Sequence, residues 1–162
     1  MSDEVFETID TGASLTKPEA IGSLRIGHML CIDNRPCKVI DMSTAKTGKH
    51  GSAKANIRAQ DIFTQKMKEF IGPTSHNVDT PFVVNTEFLV IDIDQENDLI
   101  SCTDLEGTLR EEGLPLPSKN EDLLKKLVKR WEEIQEKEEE KEIIVMATSA
   151  MGETHVTAFK EK

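Results

Sequence analysis

Polar and apolar residues alternate along most of this chain with the period of a β-strand, and only once with the period of a helix. In "KANIRAQDIF", Lys54, Asn56, Arg58 and Gln60 alternate with Ala55, Ile57 and Ala59. That is the pattern of a strand with one buried and one polar face. "GHMLCID" and "CKVIDMS" flank "NRP", which predicts a hairpin with Pro36 at the bend. "GPTSHNVDTP", bounded by Pro73 and Pro81, reads as turns. Residues 1–20 are polar and without period, so they are expected to form a disordered acidic tail. Residues 21–83 then read as one small barrel of short strands.

A second β unit is expected over residues 84–162. "EFLVIDID", "DLISCTD" and "GTLREE" read as strands, with turns at "QEN" and "LEG". "GLPLPSKNED" interrupts them, because Pro115 and Pro117 oppose continuation of either strand or helix. The helical period follows: Leu123, Leu124, Leu127, Val128, Trp131 and Ile134 recur three and four apart and share one face. The helix is expected over about 119–141, opened by a capping box of Ser118 and Glu121 with Asp122 in the first turn. Trp131 reads as a packing residue on that stripe, and "EEIQEKEEEKE" as a solvated helical end. "IIVMATSA" and "HVTAF" close the unit as strands joined by a turn at Gly152. Five strands with a late helix suit an OB-like barrel, although periodicity leaves parallel arrangements open. The expected fold is therefore mainly β, in two domains, with one amphipathic helix in the second.

Composition narrows this picture. Aromatic residues make up 4% and tyrosine is absent, so the cores must rest on Ile, Leu, Val and Met. No apolar run approaches the ~18 residues of a membrane span. "MSDEVFETID" lacks the basic-then-apolar order of a secretory signal. Cys31, Cys37 and Cys102 make neither an even framework nor a CxxC pair, and read as reduced thiols of the cytoplasm or nucleus. His28, His50, His76 and His155 show no ligand spacing, so no metal is expected.

Charge is divided along the chain. Residues 17–68 hold ten Lys/Arg against four Asp/Glu, whereas residues 85–162 hold ten against twenty. A basic first half inside a chain of net charge -10 favours phosphate-bearing partners there, while the second half repels them. The basic half contains "STAKTGKHGSAKA", with Lys49 between Gly48 and His50 and a second glycine at 51. It connects strands ending near Met42 and starting near Ala53, a hairpin connection of about ten residues. Gly48 and Gly51 permit positive φ, so the chain can turn tightly around a lysine at the apex.

A phosphate-binding P-loop would need glycine at Ser43 and a hydroxyl residue at His50, and a helix after the loop. None of the three is met. A Schiff-base lysine needs desolvation or a neighbouring cation inside a pocket, which an exposed hairpin tip does not provide. Two readings stand on the residues alone: a solvated basic hairpin, or a nucleic-acid contact using Lys46, Lys49, Arg35, Lys38, Lys54 and Arg58 on phosphates.

The loop, followed by "DIFTQK" and "PTSHNVDTPF" and accompanied by "RPCKVIDMS" and "VMATSAMGE", closely resembles eukaryotic translation initiation factor 5A over about residues 20–160. The resemblance implies an SH3-like N-terminal barrel and an OB-fold C-terminal domain. It implies that Lys49 is converted to hypusine: deoxyhypusine synthase, an NAD-dependent enzyme, transfers an aminobutyl group from spermidine, and deoxyhypusine hydroxylase completes the residue. No bound cofactor is expected, and the chain is not itself an enzyme. It would bind the ribosome near the exit site, touching rRNA and the acceptor end of peptidyl-tRNA. There it would promote peptide-bond formation at stalling sequences such as consecutive prolines and assist termination. Lys46, Thr47, Gly48, His50 and Gly51 would shape the loop and present it to the modifying enzymes; Arg35, Lys38, Lys54 and Arg58 would hold RNA. The acidic second half would dock through local patches or space the tip. The alternative is an unmodified RNA-binding adaptor using the basic 35–58 surface. Three departures stand out: Ser52 where many relatives have His, Gln65 where many have glycine, suggesting a different turn, and a helix longer than usual.

Overall fold

The structure, a computed structural model, describes residues 15–46 and 53–162. The chain divides into two compact units: residues up to Phe82 together with Ala150–Gly152, and Val83–Ser149 with Glu153–Lys162.

In the first unit β2 (Met29–Ile32), β3 (Arg35–Lys46), β4 (Ala53–Asp61) and β5 (Met67–Pro73) form one antiparallel sheet in chain order. The alternation seen in the sequence sets its inner face, since Ala55, Ile57 and Ala59 are fully buried with Leu24, Leu30 and Val39. The β2–β3 bend is not at Pro36. Asp33 and Asn34 make the turn, both with positive φ (53° and 62°), as a two-residue hairpin of the I′ kind requires. Pro36 sits inside β3 opposite Cys31, where its carbonyl accepts from the Ile62 N–H at 3.1 Å.

Two polar stretches are also strands. Residues 16–20, expected within the disordered tail, form β1 (Thr16–Ala20), which pairs antiparallel with β6 (Asn77–Pro81). β6 lies in the stretch expected to be turns. Backbone pairing joins these two segments, and the buried Thr80 hydroxyl donates to the Lys17 carbonyl at 3.0 Å. Little apolar surface marks them, so periodicity does not reveal them. The remainder of the expected tail, residues 1–14, lies outside the described residues.

The β4–β5 turn keeps the backbone that a glycine would favour. Gln65 has φ +66°, and its amide donates to the Asp61 carbonyl at 2.9 Å. The departure at this position thus changes the residue and not the hand of the turn. A left-handed L-residue carries a steric penalty of roughly 1–2 kcal/mol that glycine escapes, less glycine's extra unfolded-state entropy. Gln65→Gly is expected to stabilise the protein by about 0.5 kcal/mol, read as a higher urea midpoint with unchanged slope; a lower midpoint contradicts this account.

In the second unit β7 (Val84–Asp94), β8 (Leu99–Thr103), β9 (Leu114–Pro115), β10 (Ile143–Ala150) and β11 (Glu153–Glu161) order as β11-β10-β7-β8-β9. The β10–β7, β7–β8 and β8–β9 pairs are antiparallel, which removes the parallel alternative for them. "GTLREE" is not a strand: only a Thr103–Leu109 bridge forms there. Asp104 folds that segment instead, its carboxylate accepting from the Glu106 and Thr108 N–H groups at 2.9 Å each. The third strand comes later, at Leu114–Pro115, despite its proline. β9 is an edge strand, where a missing N–H is tolerated. Gly113 admits the approach, because a Cβ there would lie 2.6 Å from the Ile100 carbonyl oxygen.

The helix α1 spans Glu121–Glu136, shorter at both ends than the expected span of about 119–141. Its cap is Asn120, whose side chain accepts from the Leu123 N–H at 3.3 Å, and not Ser118. Its last turn holds no basic residue to oppose the helix dipole, and the chain reverses at Glu138, with φ +49°. Arg130 then ties Glu139 and Glu161 to the helix, at 2.8 Å each. Leu127 and Ile134 are buried with Phe88, Val90, Ile100 and Val145, and Trp131 packs against that core.

Candidate functional site: the glycine–lysine hairpin and its base

β3 outlasts the barrel that it belongs to. Along Arg35–Met42 buried and exposed residues interchange, but Ser43, Thr44, Ala45 and Lys46 are all exposed. Among the described residues, none covers these four enough to bury them. Pairing with β4 nevertheless continues through Thr44↔Ala55 and Ala45↔Lys54 to Lys46↔Ala53. Ala55, opposite Thr44, is still buried in the barrel core, so the pairs beyond it, Ala45↔Lys54 and Lys46↔Ala53, make a short arm stiffened by its own hydrogen bonds. β5 braces it from the β4 side, where the Thr74 N–H donates to the Ala53 carbonyl at 2.8 Å. The connection is shorter than the ten residues expected, since strand pairing leaves only 47–52 between the two ends. Thr47, Gly48, Lys49, His50 and Gly51, with Ser52, lie outside the described residues.

The register sorts the basic residues. Lys54 stands across from Ala45, and Lys46 across from Ala53, so the two lysines occupy opposite faces of the arm. Lys54, Arg58 and Lys38 share the outward face, Lys38 lying opposite Gln60. That face is less cationic than the sequence suggests. Arg58 has Asp41 as its neighbour on β3 and Glu69 on β5, a carboxylate on each side.

Arg35 is engaged by a buried carboxylate. Its Nε donates to Asp61 Oδ2 at 2.8 Å and its Nη2 to Oδ1 at 3.4 Å. Its guanidinium lies 6.0 Å from the Phe63 ring centroid. Asp61 is 2% exposed, and its Oδ1 also accepts from the N–H groups of Phe63 and Thr64, at 2.8 and 3.0 Å. Burial alone would raise its pKa; the Arg35 bond and the two amides outweigh it and hold the carboxyl below the usual range. This pair, a half-buried guanidinium on a buried carboxylate, fixes the turn beyond β4. Sequence reading missed Asp61, although strand parity carries the signal: Ala55, Ile57, Ala59 and Asp61 fall on one face.

The cysteines are free. Burial and the Asp61 charge push the Cys37 thiol up to about 11, and burial raises Cys31 and Cys102 as well. Such thiols are poor nucleophiles at neutral pH. Among the described residues no group of three or more His, Cys, Asp and Glu could hold a metal ion. No described helix is long and apolar enough to cross a membrane.

Residues 14–76 match the family model described as translation initiation factor 5A-like, N-terminal. Over 163 aligned residues the chain is 44% identical to eukaryotic translation initiation factor 5A-3 of Arabidopsis thaliana, covering 99% of this chain and 98% of the relative. It is 38% identical to factor 5A-1 of Saccharomyces cerevisiae, covering 99% and 97%. Among solved structures it is similar to a translation initiation factor 5A family protein from Naegleria fowleri, with TM-score 0.78, 38% identity and coverage of 91% and 99%. A second similar structure is the factor 5A of Methanococcus jannaschii, with TM-score 0.65, 30% identity and coverage of 90% and 96%. The first unit is an SH3-like barrel and the second an OB-fold. By identity over nearly its whole length, the chain belongs to the eukaryotic translation initiation factor 5A family.

Proposed function

We propose that this translation factor binds the ribosome near the exit site and acts there through a hypusinated Lys49. The observation that carries the reading is the arm: β3 and β4 stay paired out to Lys46↔Ala53 after the cover on β3 has ended at Met42. "TGKHGS" follows at the end of that arm. A stiff, narrow support of this kind can introduce one side chain into a site that excludes the barrel.

Lys49 would take an aminobutyl group from spermidine through deoxyhypusine synthase, and deoxyhypusine hydroxylase would complete it. Thr47, Gly48, His50 and Gly51 would present the lysine to both enzymes, with Lys46 at the root. The extended arm keeps its positive charge and gains a second amine, which can hydrogen-bond ribose and phosphate oxygens at the acceptor end of peptidyl-tRNA. Restricting a poorly oriented substrate, such as one ending in prolines, lowers the entropic part of the barrier. Bond formation and termination are carried out by the ribosome, so the factor contributes position and not catalysis. Lys54, Lys38 and Arg58 would add phosphate contacts along the outward face. A bare RNA adaptor is less well supported, because Arg35 is committed to Asp61 and Arg58 stands between two carboxylates.

Peptide mass spectrometry of protein taken from cells with both modifying enzymes is expected to place the spermidine-derived adduct on Lys49. Plain lysine at that position in such cells would overturn the proposal.

A further inference from the structure

The OB sheet has a second apolar face. Phe88, Val90, Val145 and Ala147 point into the core. Between them on the same strands stand Leu89, Ile144 and Met146, with Leu89 opposite Ile144 and Glu87 opposite Met146. These residues point away from that core; Leu89 and Met146 are half-buried, and Ile144 is only 5% exposed. A trough of about 450 Å³ opens over them, lined by Glu87, Leu89, Leu105, Ile144 and Lys160 among others. A smaller hollow of about 160 Å³, sharing Glu87, Ile144 and Lys160, continues it to Met146, Ala158 and Phe159.

The loop after β8 supplies a lip. Leu105 and Leu109 are 56% and 57% exposed, which is costly for two leucines so close in sequence unless something covers them. The loop is held in place. Besides the two bonds to the Asp104 carboxylate, the Asp104 N–H donates to the Thr108 carbonyl at 2.8 Å, and the Gly107 N–H to the Asp104 carbonyl at 3.1 Å. The leucines are therefore presented in a fixed position, and a partner bears little cost of ordering them.

Charge identifies the partner. Between residues 104 and 112 the sequence holds Asp104, Glu106, Glu111 and Glu112 and one base, Arg110, which is bonded to Glu112 at 3.2 Å and to the Gly113 carbonyl. In the trough Glu87, Glu142 and Glu161 meet Lys160 and Lys162; Lys160 is paired with Glu87 at 2.9 Å and Glu161 with Arg130 at 2.8 Å, so the excess of acid lies at the lip more than in the trough. Residues 85–162 carry twice as many acidic as basic side chains. Nucleic acid and anionic lipid are repelled by such a field. An apolar trough inside it is complementary to a segment that carries both apolar anchors and positive charge. We infer that this face of the OB unit docks a basic amphipathic segment of a protein partner, anchored by the exposed Leu105 and Leu109 beside Leu89. The site shares no residue with the lysine arm.

The test uses the full chain and a fluorescein-labelled amphipathic peptide of leucine and lysine, with three comparison probes. These are a leucine–glutamate peptide of the same pattern, a lysine-only peptide of equal charge, and single-stranded RNA. Fluorescence anisotropy is expected to show the leucine–lysine peptide binding at least about tenfold more tightly than each of the others. Leu105→Ser with Leu109→Ser, both exposed and harmless to the core, is expected to remove that advantage. Methyl NMR shifts on adding the peptide are expected at Leu89, Leu105 and Ile144. Equal binding of the lysine-only peptide or the RNA overturns the inference, since charge alone then suffices. So does peptide binding that ignores the double variant. Self-association abolished by the double variant, without peptide binding, would assign the face to a second copy and overturn it too.

Discussion

Lys49→Arg is expected to slow synthesis through consecutive prolines about a hundredfold relative to the modified protein, with stability unchanged. The substitution keeps a cation about as long as lysine at the same place, so a loss cannot be ascribed to removing the lysine's own charge. What it removes is the primary amine. A guanidinium stays protonated under all physiological conditions and offers no amine for aminobutyl transfer, so the side chain remains short and lacks the second nitrogen. Neither core contains a residue of 47–52, and the ladder that reaches Lys46↔Ala53 stops short of the changed position, so the unfolding midpoint should not move. The measurement is the rate of peptide formation on a polyproline template in a reconstituted system, beside a template without prolines. A plain RNA adaptor predicts the opposite ranking, with Lys54→Ala and Arg58→Ala harmful and Lys49→Arg neutral. Full activity of Lys49→Arg on the proline template would end the hypusine mechanism.

The fold was legible wherever a strand or helix buries one face. Alternation in "KANIRAQDIF" gave β4, and the Leu123–Ile134 stripe gave α1, because apolar burial writes its period into the sequence. What lay hidden is held by other forces. β1 and β6 are joined by backbone bonds with few apolar side chains, β9 is two residues long and contains a proline, and Asn120 displaces Ser118 as cap by local geometry. The candidate site was legible as a sequence, since glycine–lysine spacing and a family resemblance both mark it. Its surroundings were not. A count of basic residues treats Arg35, Lys38 and Arg58 alike, whereas register gives Arg58 two acidic neighbours and burial gives Arg35 to Asp61. Charge in a sequence is a total; in a fold it belongs to pairs.

That last pair supports the second large expectation: Asp61→Ala should destabilise the SH3-like unit by about 3 kcal/mol. The carboxylate is almost wholly buried and receives Arg35 and two backbone N–H groups. Its removal leaves a half-buried guanidinium and the amides of Phe63 and Thr64 without those bonds, and each unmet group carries its own desolvation cost. Asp61→Asn keeps an acceptor and should lose about half as much. The two variants separate packing from charge through pH. Because the folded carboxyl titrates below its unfolded value of about 3.9, its stabilising effect is complete above that value. It is lost as pH falls through the lower, folded pKa. The gap between the original chain and Asp61→Asn in urea unfolding should therefore hold steady from pH 7 to about 5 and close below about 4. The same experiment reports on the arm, since Asp61 ends the strand that carries it and pairs with Cys37 at the ladder's other limit. A gap that stays constant down to pH 2, or an alanine variant within about 1 kcal/mol of the original, would show that Arg35 is not held by charge and return it to the set of residues free to meet phosphate.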